Sequence, residues 1–415
     1  MAPQSFNGKF IAMLLVLALA MFIYGCAASQ EKAECNFSNT KDDSMWDMQK
    51  LDEAFELACE LGSTTLVLTT NGNVVKSMGD LQTSYRVHSA RKALLSALVG
   101  QHVGAGPNQI KLNSTLAELY IDDSPNSLTE LQQQATVLHL IKSISGINHK
   151  AAGEGWAMRP EIDRRLGYKP NLPGTVWAYN NWDYNALTTI FEQETGMTVY
   201  EAFKAGIAEP LEMQDFSENS VFYSADERLS EHRKAGFKMP ARDLTKFGLL
   251  YLNKGTWNDQ QIIPKSWIER ITIDYTLTDI EGPLSAHGYL WWVPVDQKSR
   301  DLGLPQGTYF AAGGFAQIVM VVPAWNTVIV HQVDSSRLIF CTNLLALRGY
   351  LGGISSAKRS KEAVLYTRNR CGNPEYSASY FCRKCDWFGN FTTFLDTPPG
   401  MAELLLKIAQ ARKSE

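Results

Sequence analysis

Strand signals in this chain gather at the two ends of its body, with a long helical stretch between them. Thr64–Thr69 is a run of β-branched and aliphatic residues, Asn71-Gly72 is a strong hairpin signal, and Val74-Val75 begins a return strand. The next strand-like runs come only at Tyr289–Val293, Gln317–Val322 and Thr327–Val330, the last two joined by a turn at Pro323–Asn326. A lone hairpin is marginal in water, so the early and late strands are expected to share one sheet. Between 89 and about 240 the apolar spacing is mostly helical. The expected fold class is therefore α/β, of the α+β kind: an antiparallel sheet built from both chain ends, flanked by helices, with an all-helical region inserted.

Helices are expected at about 47–61, 89–100, 136–144, 182–196, 198–207, 241–253, 264–271 and 400–412. The run Ala93-Leu94-Leu95-Ser96-Ala97-Leu98-Val99 has no polar face and suits full burial. These patterns divide the chain into a sheet domain of residues 47–88 and 241–415 and a helical domain of 89–240. A cysteine-containing irregular segment, 336–399, lies within the C-terminal part.

Residues 1–26 read differently. Lys9 precedes an apolar stretch from Phe10 to Tyr24, which is short for a membrane span of about 20 residues and matches the apolar region of an export signal. It ends in Gly25-Cys26-Ala27, which resembles a bacterial lipobox. The expectation is export, with the membrane as a partner through a lipid on Cys26 or an uncleaved anchor, and 27–46 as a tether. Cys35, Cys59, Cys341, Cys371, Cys382 and Cys385 then lie in a compartment that permits disulfides. Cys382 and Cys385 look like half a zinc site, but a structural zinc wants four ligands. Only Cys371 is close in sequence, and no histidine follows His331. Neither a metal nor any cofactor is expected. A net charge of −4 gives no electrostatic case for nucleic acid.

Ser-x-x-Lys occurs at Ser29/Lys32, Ser38/Lys41, Ser89/Lys92 and Ser355/Lys358. Only Ser89 follows a strand hairpin and opens an apolar helix. Residues at i and i+3 share a helix face, so the Ser89 hydroxyl should meet the Lys92 amine, and a hydroxyl needs a nearby base to become a nucleophile. A helix N-terminus adds free N–H groups and the positive end of the dipole. Tyr179 and Asn181 follow the Pro173-Gly174 turn, where functional groups are commonly presented. Alone, they read equally as a core aromatic and a helix cap. Tyr251 and Asn253 match the same spacing but close a helix.

The order of segments resolves these alternatives. Arg86 through Leu98, Leu138 through Ile147, Pro173-Gly174 through Leu187, Glu209 through Met213, Ala241 through Leu244 with Phe247-Gly248, and Gly288-Tyr289 with Trp291-Trp292 stand in sequence. Together they resemble the serine β-lactamase and penicillin-binding-protein superfamily, on its class C-like branch of esterases, peptidases and 6-aminohexanoate-dimer hydrolases. The resemblance covers roughly residues 47 to 335. It implies Ser89 as nucleophile, Lys92 as base or proton relay helped by Tyr179, Tyr179 as a proton donor to the leaving group, and Asn181 as a substrate-binding amide. It also implies an oxyanion hole from the Ser89 N–H and a second N–H at the start of a strand spanning 314–322.

That superfamily's third motif departs here. Relatives carry Lys-Thr-Gly or His-x-Gly, whereas this chain reads Ala311-Ala312-Gly313, followed by Gly314, which aligns with the second oxyanion donor. The segment holds no cation for the carboxylate of a penicillin or a peptide terminus, so a small-molecule ester or linear amide fits better. The expected activity is that of a serine esterase or amidase. The alternative is a penicillin-binding or sensor-like envelope protein that acylates without turnover. His88 adjoins the nucleophile but, as a helix neighbour, should face elsewhere. Of Trp291 and Trp292, one is expected in the core and the other toward solvent or the cleft.

Overall fold

The computed structural model describes residues 37–39, 45–154, 158–336 and 399–413. The export segment with Cys26, the residue Cys35, and the late cysteines Cys341, Cys371, Cys382 and Cys385 lie outside the described residues. Among the described residues, no helix is long and apolar enough to cross a membrane.

Eight strands of the main sheet come from both ends of the chain. In the early part β1 (Thr65–Thr70) and β2 (Asn73–Met78) form the hairpin predicted around Asn71-Gly72. Asn71 and Gly72 both take positive φ, 53° and 77°, as a tight turn demands. Ahead of the insert lies β3 (Tyr85–Arg86), and the insert holds β4 (Val221–Asp226) and β5 (Ser230–Met239). The late strands are β6 (Thr276–Leu277), β7 (Ala286–Gly288), β8 (Trp291–Val293), β9 (Tyr309–Gly313), β10 (Gln317–Val322) and β11 (Thr327–Gln332). The order β2-β1-β11-β10-β9-β8-β7-β6 is antiparallel at every pairing. Its closure is the pairing of β1 with β11, from Thr70 opposite Thr327 to Thr65 opposite Gln332. Every residue of both strands is buried, so helices must cover both faces.

Helix α1 (Met48–Glu60) starts at Asp47, whose carboxylate accepts from the Lys50 amide. It covers one face, where Lys76 of β2 reaches Asp52 at 2.5 Å. The C-terminal helix Pro399–Ala411 joins it, with the Asp47 amide donating to the Ala411 carbonyl at 2.7 Å. Helix Ala241–Leu252 covers the other face, where Gly248 lies so close to the sheet that a Cβ would sit 2.5 Å from Val328. The sheet from both ends is thus as the sequence pattern predicts.

The region 89–240 is not all helical. It carries the helices α2 (Arg91–His102), Val137–Ile141, Met158–Leu166, α3 (Asn181–Thr195) and Val199–Phe203. It also carries β4 and β5, which form a three-stranded sheet with β3. The sequence hid β5 because charged residues interrupt it: Glu231 and Arg233 point outward between buried neighbours. The helix expected over 136–144 stops at Ile141, since Ser143 takes a positive φ of 58°. The strand expected over Tyr289–Val293 is broken for the same kind of reason. Tyr289 and Leu290 take φ of 52° and 71° and form the turn between β7 and β8.

Helix α2 is buried on nearly every face. Its end packs on Trp267 of helix Lys265–Ile273, and a Cβ at Gly100 would lie 2.4 Å from Trp267 Cδ1. Trp267 is itself buried, with Nε1 donating to Ser96 Oγ at 3.2 Å, so its ring has little room to yield. Helix propensity favours alanine over glycine by about 1 kcal/mol, but overpacking a core costs about 1–3 kcal/mol. Gly100→Ala is therefore expected to lower the unfolding free energy in urea; an unchanged or raised midpoint would contradict this packing.

Candidate active site

The chain reaches Ser89 from β3, whose residues Tyr85 and Arg86 pair with Met239 and Lys238 of β5. One further rung, from the Val87 amide to the Phe237 carbonyl at 3.1 Å, fixes the approach. His88 then takes a positive φ of 47° and starts a short 3-10 turn, His88–Ala90, that runs straight into α2. Ser89 therefore sits on the entry turn and not within the α-helix. Amides in a first helical turn have no acceptor inside the helix, and their dipole favours negative charge. His88 faces away, as expected: its Nε2 is 2.7 Å from Ser335 Oγ and its ring lies 5.1 Å from that of Phe315.

Lys92 Nζ lies 2.9 Å from Ser89 Oγ. The lysine is 2% exposed, at the start of a helix that continues into the largely apolar run Ala93–Val99. Burial pushes its pKa well below the ordinary lysine value, and the charges of Arg91 and Lys234 push the same way. The rings of Tyr179 and Tyr184 lie 4.4 and 4.6 Å from Nζ and would favour the cation. Desolvation is the largest of these effects and disfavours the charged amine; the neutral amine can accept the Ser89 proton.

Tyr179 is buried, and a hydrogen bond links it to Ser89. Burial raises its pKa above the usual phenol value, so at neutral pH it keeps its proton and acts as a donor. Its ring is held in a wall of aromatics: Trp292 stacks on it at 5.3 Å, and Tyr184 and His287 lie 5.2 and 5.7 Å away. Alternation along β8 separates the two tryptophans. Trp291 packs against Phe247, Tyr251 and Tyr309, while Trp292 meets Tyr179, His287 and Trp177. Both are buried, so neither faces solvent, and Trp292 is the one beside Tyr179.

Asn180, not Asn181, caps α3: its Oδ1 accepts from the amides of Trp182 and Asp183. Asn181 is the first residue of the helix. Its Nδ2 donates to the Gly153 carbonyl at 2.8 Å, and its buried Oδ1 has no partner among the described residues.

The third-motif segment is placed differently from the expectation. Ala311-Ala312-Gly313 ends β9, Gly314–Ala316 form a turn, and the following strand begins only at Gln317. Phe315 and Ala316, at φ of 63° and 53°, make that turn and delay the strand. Gly313 lies directly against the Ser89 turn. A Cβ there would sit 2.2 Å from the Val87 carbonyl oxygen and 3.0 Å from the amides of Ser89 and Ala90. Only glycine permits this approach. Gly314 follows at the head of the turn, one residue from that contact.

Three neighbours were not singled out in the sequence. His287 is fully buried beside Tyr179, and burial with the nearby Lys92 lowers its pKa to about 3, so it stays neutral. Its Nδ1 is 3.4 Å from Ser143 Oγ, which is 2.6 Å from the Tyr184 hydroxyl. Arg91 Nη2 donates to Asn185 Oδ1 at 3.0 Å. Lys234, from β5, places its charge near both Lys92 and His88. The signal for His287 was its place before Gly288 in a matched segment. Lys234 had none, because its strand went unseen.

The family model described as Beta-lactamase matches residues 59–336. No curated protein is significantly similar in sequence. Solved structures share the fold. One, from Bacillus anthracis and described as a candidate 6-aminohexanoate-dimer hydrolase, is 19% identical with a TM-score of 0.50, covering 76% of this chain and 88% of its own. Another, from Bacteroides dorei and described as a candidate beta-lactamase, is 14% identical with a TM-score of 0.51, covering 70% and 91%. An octameric penicillin-binding protein homologue from Pyrococcus abyssi is 18% identical with a TM-score of 0.50, covering 77% and 81%.

Because Gly313 abuts the amide of Ser89, Gly313→Ala must push β9 away from the nucleophile's turn. Displacing one oxyanion donor costs about 10²–10³ in rate. The variant is expected to react with a fluorophosphonate about that much more slowly while its far-UV circular dichroism stays unchanged. An unaltered labelling rate would show that the strand and the turn are not in contact.

Proposed function

The chain belongs to the beta-lactamase family, and from that premise we propose that it is a serine hydrolase that cleaves an ester or linear amide through an acyl-enzyme on Ser89. The observation that carries the reading is the 2.9 Å contact between Lys92 Nζ and Ser89 Oγ in a setting that disfavours the charged amine. Ser89 Oγ attacks the carbonyl carbon and its proton passes to Lys92. The Ser89 N–H and the Gly314 N–H hold the oxyanion. The bond to the leaving group breaks, and the leaving oxygen or nitrogen takes a proton from Tyr179, which Lys92 resupplies. Water then adds to the acyl-enzyme, giving a proton to Lys92; the bond from Ser89 Oγ to the acyl carbon breaks, Oγ takes that proton back from Lys92, and the acid departs. Asn181 is the substrate-binding amide.

The substrate class rests on the third motif, which offers no cation at Ala311 or Ala312. One structural neighbour is named for a linear amide dimer, in keeping with that class. We further propose that the protein is exported and tethered to the bacterial envelope through Cys26. Cys59 is disulfide-bonded to a partner outside the described residues, which suits an oxidising compartment.

The test is a panel of nitrophenyl esters, aminohexanoate oligomers, nitrocefin and D-Ala peptides, run with intact-mass analysis of fluorophosphonate-treated protein. Hydrolysis of esters or linear amides and one adduct are expected. Ser89→Ala should lose the adduct and at least about 10³-fold in rate. An adduct that survives Ser89→Ala overturns the assignment, and acylation without turnover on the whole panel favours a sensor.

A further inference from the structure

The third motif lacks a cation, but the fold brings one to the site from another direction. Lys234 lies on β5, whose far end pairs with the strand that delivers Ser89. Its side chain runs over Gly153: a Cβ at Gly153 would meet Lys234 Cδ at 2.6 Å and Nζ at 2.9 Å. The Gly153 carbonyl is the group that accepts from Asn181 Nδ2. Next to it, the Ala152 carbonyl accepts from Asn185 Nδ2, and Asn185 in turn holds Arg91. Lys234 thereby lies against the same piece of backbone as Asn181, and its charge acts on both His88 and Lys92.

Among the described residues, no acid neutralises this lysine. Its neighbours in charge are Arg91 and Arg86, both cations, and the Phe222 ring at 5.9 Å. Glu154 stands next to Gly153 but pairs with Arg159 at 3.5 Å. Among the described residues, no carboxylate forms an ion pair with Lys234. A mostly buried ammonium among like charges is costly to keep. Structural lysines in such places are paired, as Lys76 is with Asp52. An anion arriving with the substrate would supply the missing partner.

We propose that Lys234 is the cation of an anion-binding subsite beside Ser89, and that the hydrolase accepts substrates carrying a carboxylate or an equivalent anionic group. This rests on the serine-hydrolase reading above and deepens it. The cation lost from the third motif is supplied by β5, from the side of Asn181.

The test compares 4-nitrophenyl hydrogen glutarate, whose acyl chain ends in a carboxylate, with neutral 4-nitrophenyl butyrate. Lys234→Met is expected to lower the preference for the anionic ester, read as the ratio of the two kcat/KM values, by about tenfold to a hundredfold, the range for a charge-assisted hydrogen bond. Any change at Lys92 affects both esters and cancels in the ratio. Lys234→Arg should restore the preference and Lys234→Glu should invert it. An unchanged ratio in Lys234→Met and Lys234→Glu overturns the proposal. A second arm needs no turnover: titration calorimetry of Ser89→Ala protein with glutaric acid monoanilide and with neutral butyranilide. Tighter binding of the anionic anilide, lost in Ser89→Ala/Lys234→Met, supports the subsite even if no ester is hydrolysed. Equal binding of the two anilides overturns it.

Discussion

A lysine amine sealed inside an apolar helix and touching a serine hydroxyl is the constraint on which the rest of this structure depends. Water is the medium that keeps lysine charged; without it, and beside Arg91 and Lys234, the amine of Lys92 is driven toward neutrality. That costs stability. A lysine whose folded pKa lies below its unfolded value binds fewer protons in the native state, so between those two values stability rises with pH. The fold tolerates the cost because α2 is anchored elsewhere by Trp267 and by the apolar run Ala93–Val99.

The sheet exists, in functional terms, to hold one glycine against one turn. Pairing of β1 with β11 joins the two chain ends, β10 and β9 follow by antiparallel register, and β9 ends at Gly313 beside the Ser89 amide. The insert contributes from the other side. Helix α3 carries Asn181 into contact with Gly153, β5 carries Lys234, and the segment before α3 carries Tyr179 under Trp292. The nucleophile turn lies where these two halves meet. The absence of side chains at Gly313, and the small ones at Ala311 and Ala312, leave backbone as the surface offered there.

Much of this was legible in the sequence because it follows from local periodicity. The hairpin at Asn71-Gly72, the two-ended sheet and the contact of Ser89 with Lys92 all come from short-range rules of turn and helix geometry. What could not be read depends on positive φ or on charge within a strand. Nothing in Ser143, Tyr289, Leu290, Phe315 or Ala316 as residue types announces a left-handed conformation. Tertiary packing imposes it, and it shortened a helix, split a strand and moved the third motif to a strand's end. Strand β5 escaped because Glu231, Arg233 and Lys234 break its apolar alternation. With it went Lys234, a cation that approaches the site, and so the reading of the substrate rested on the third motif alone.

The central claim is that burial drives the Lys92 amine toward its neutral form, and it can be measured without any substrate. Protein carrying 13C at lysine Cε is titrated by NMR, with Lys92 assigned through the resonance lost in Lys92→Ala. A Lys92 midpoint well below the ordinary lysine value near 10.4 is predicted. A midpoint at or above that value would mean that burial does not weaken the charged form, and would contradict Lys92 as the base that activates Ser89.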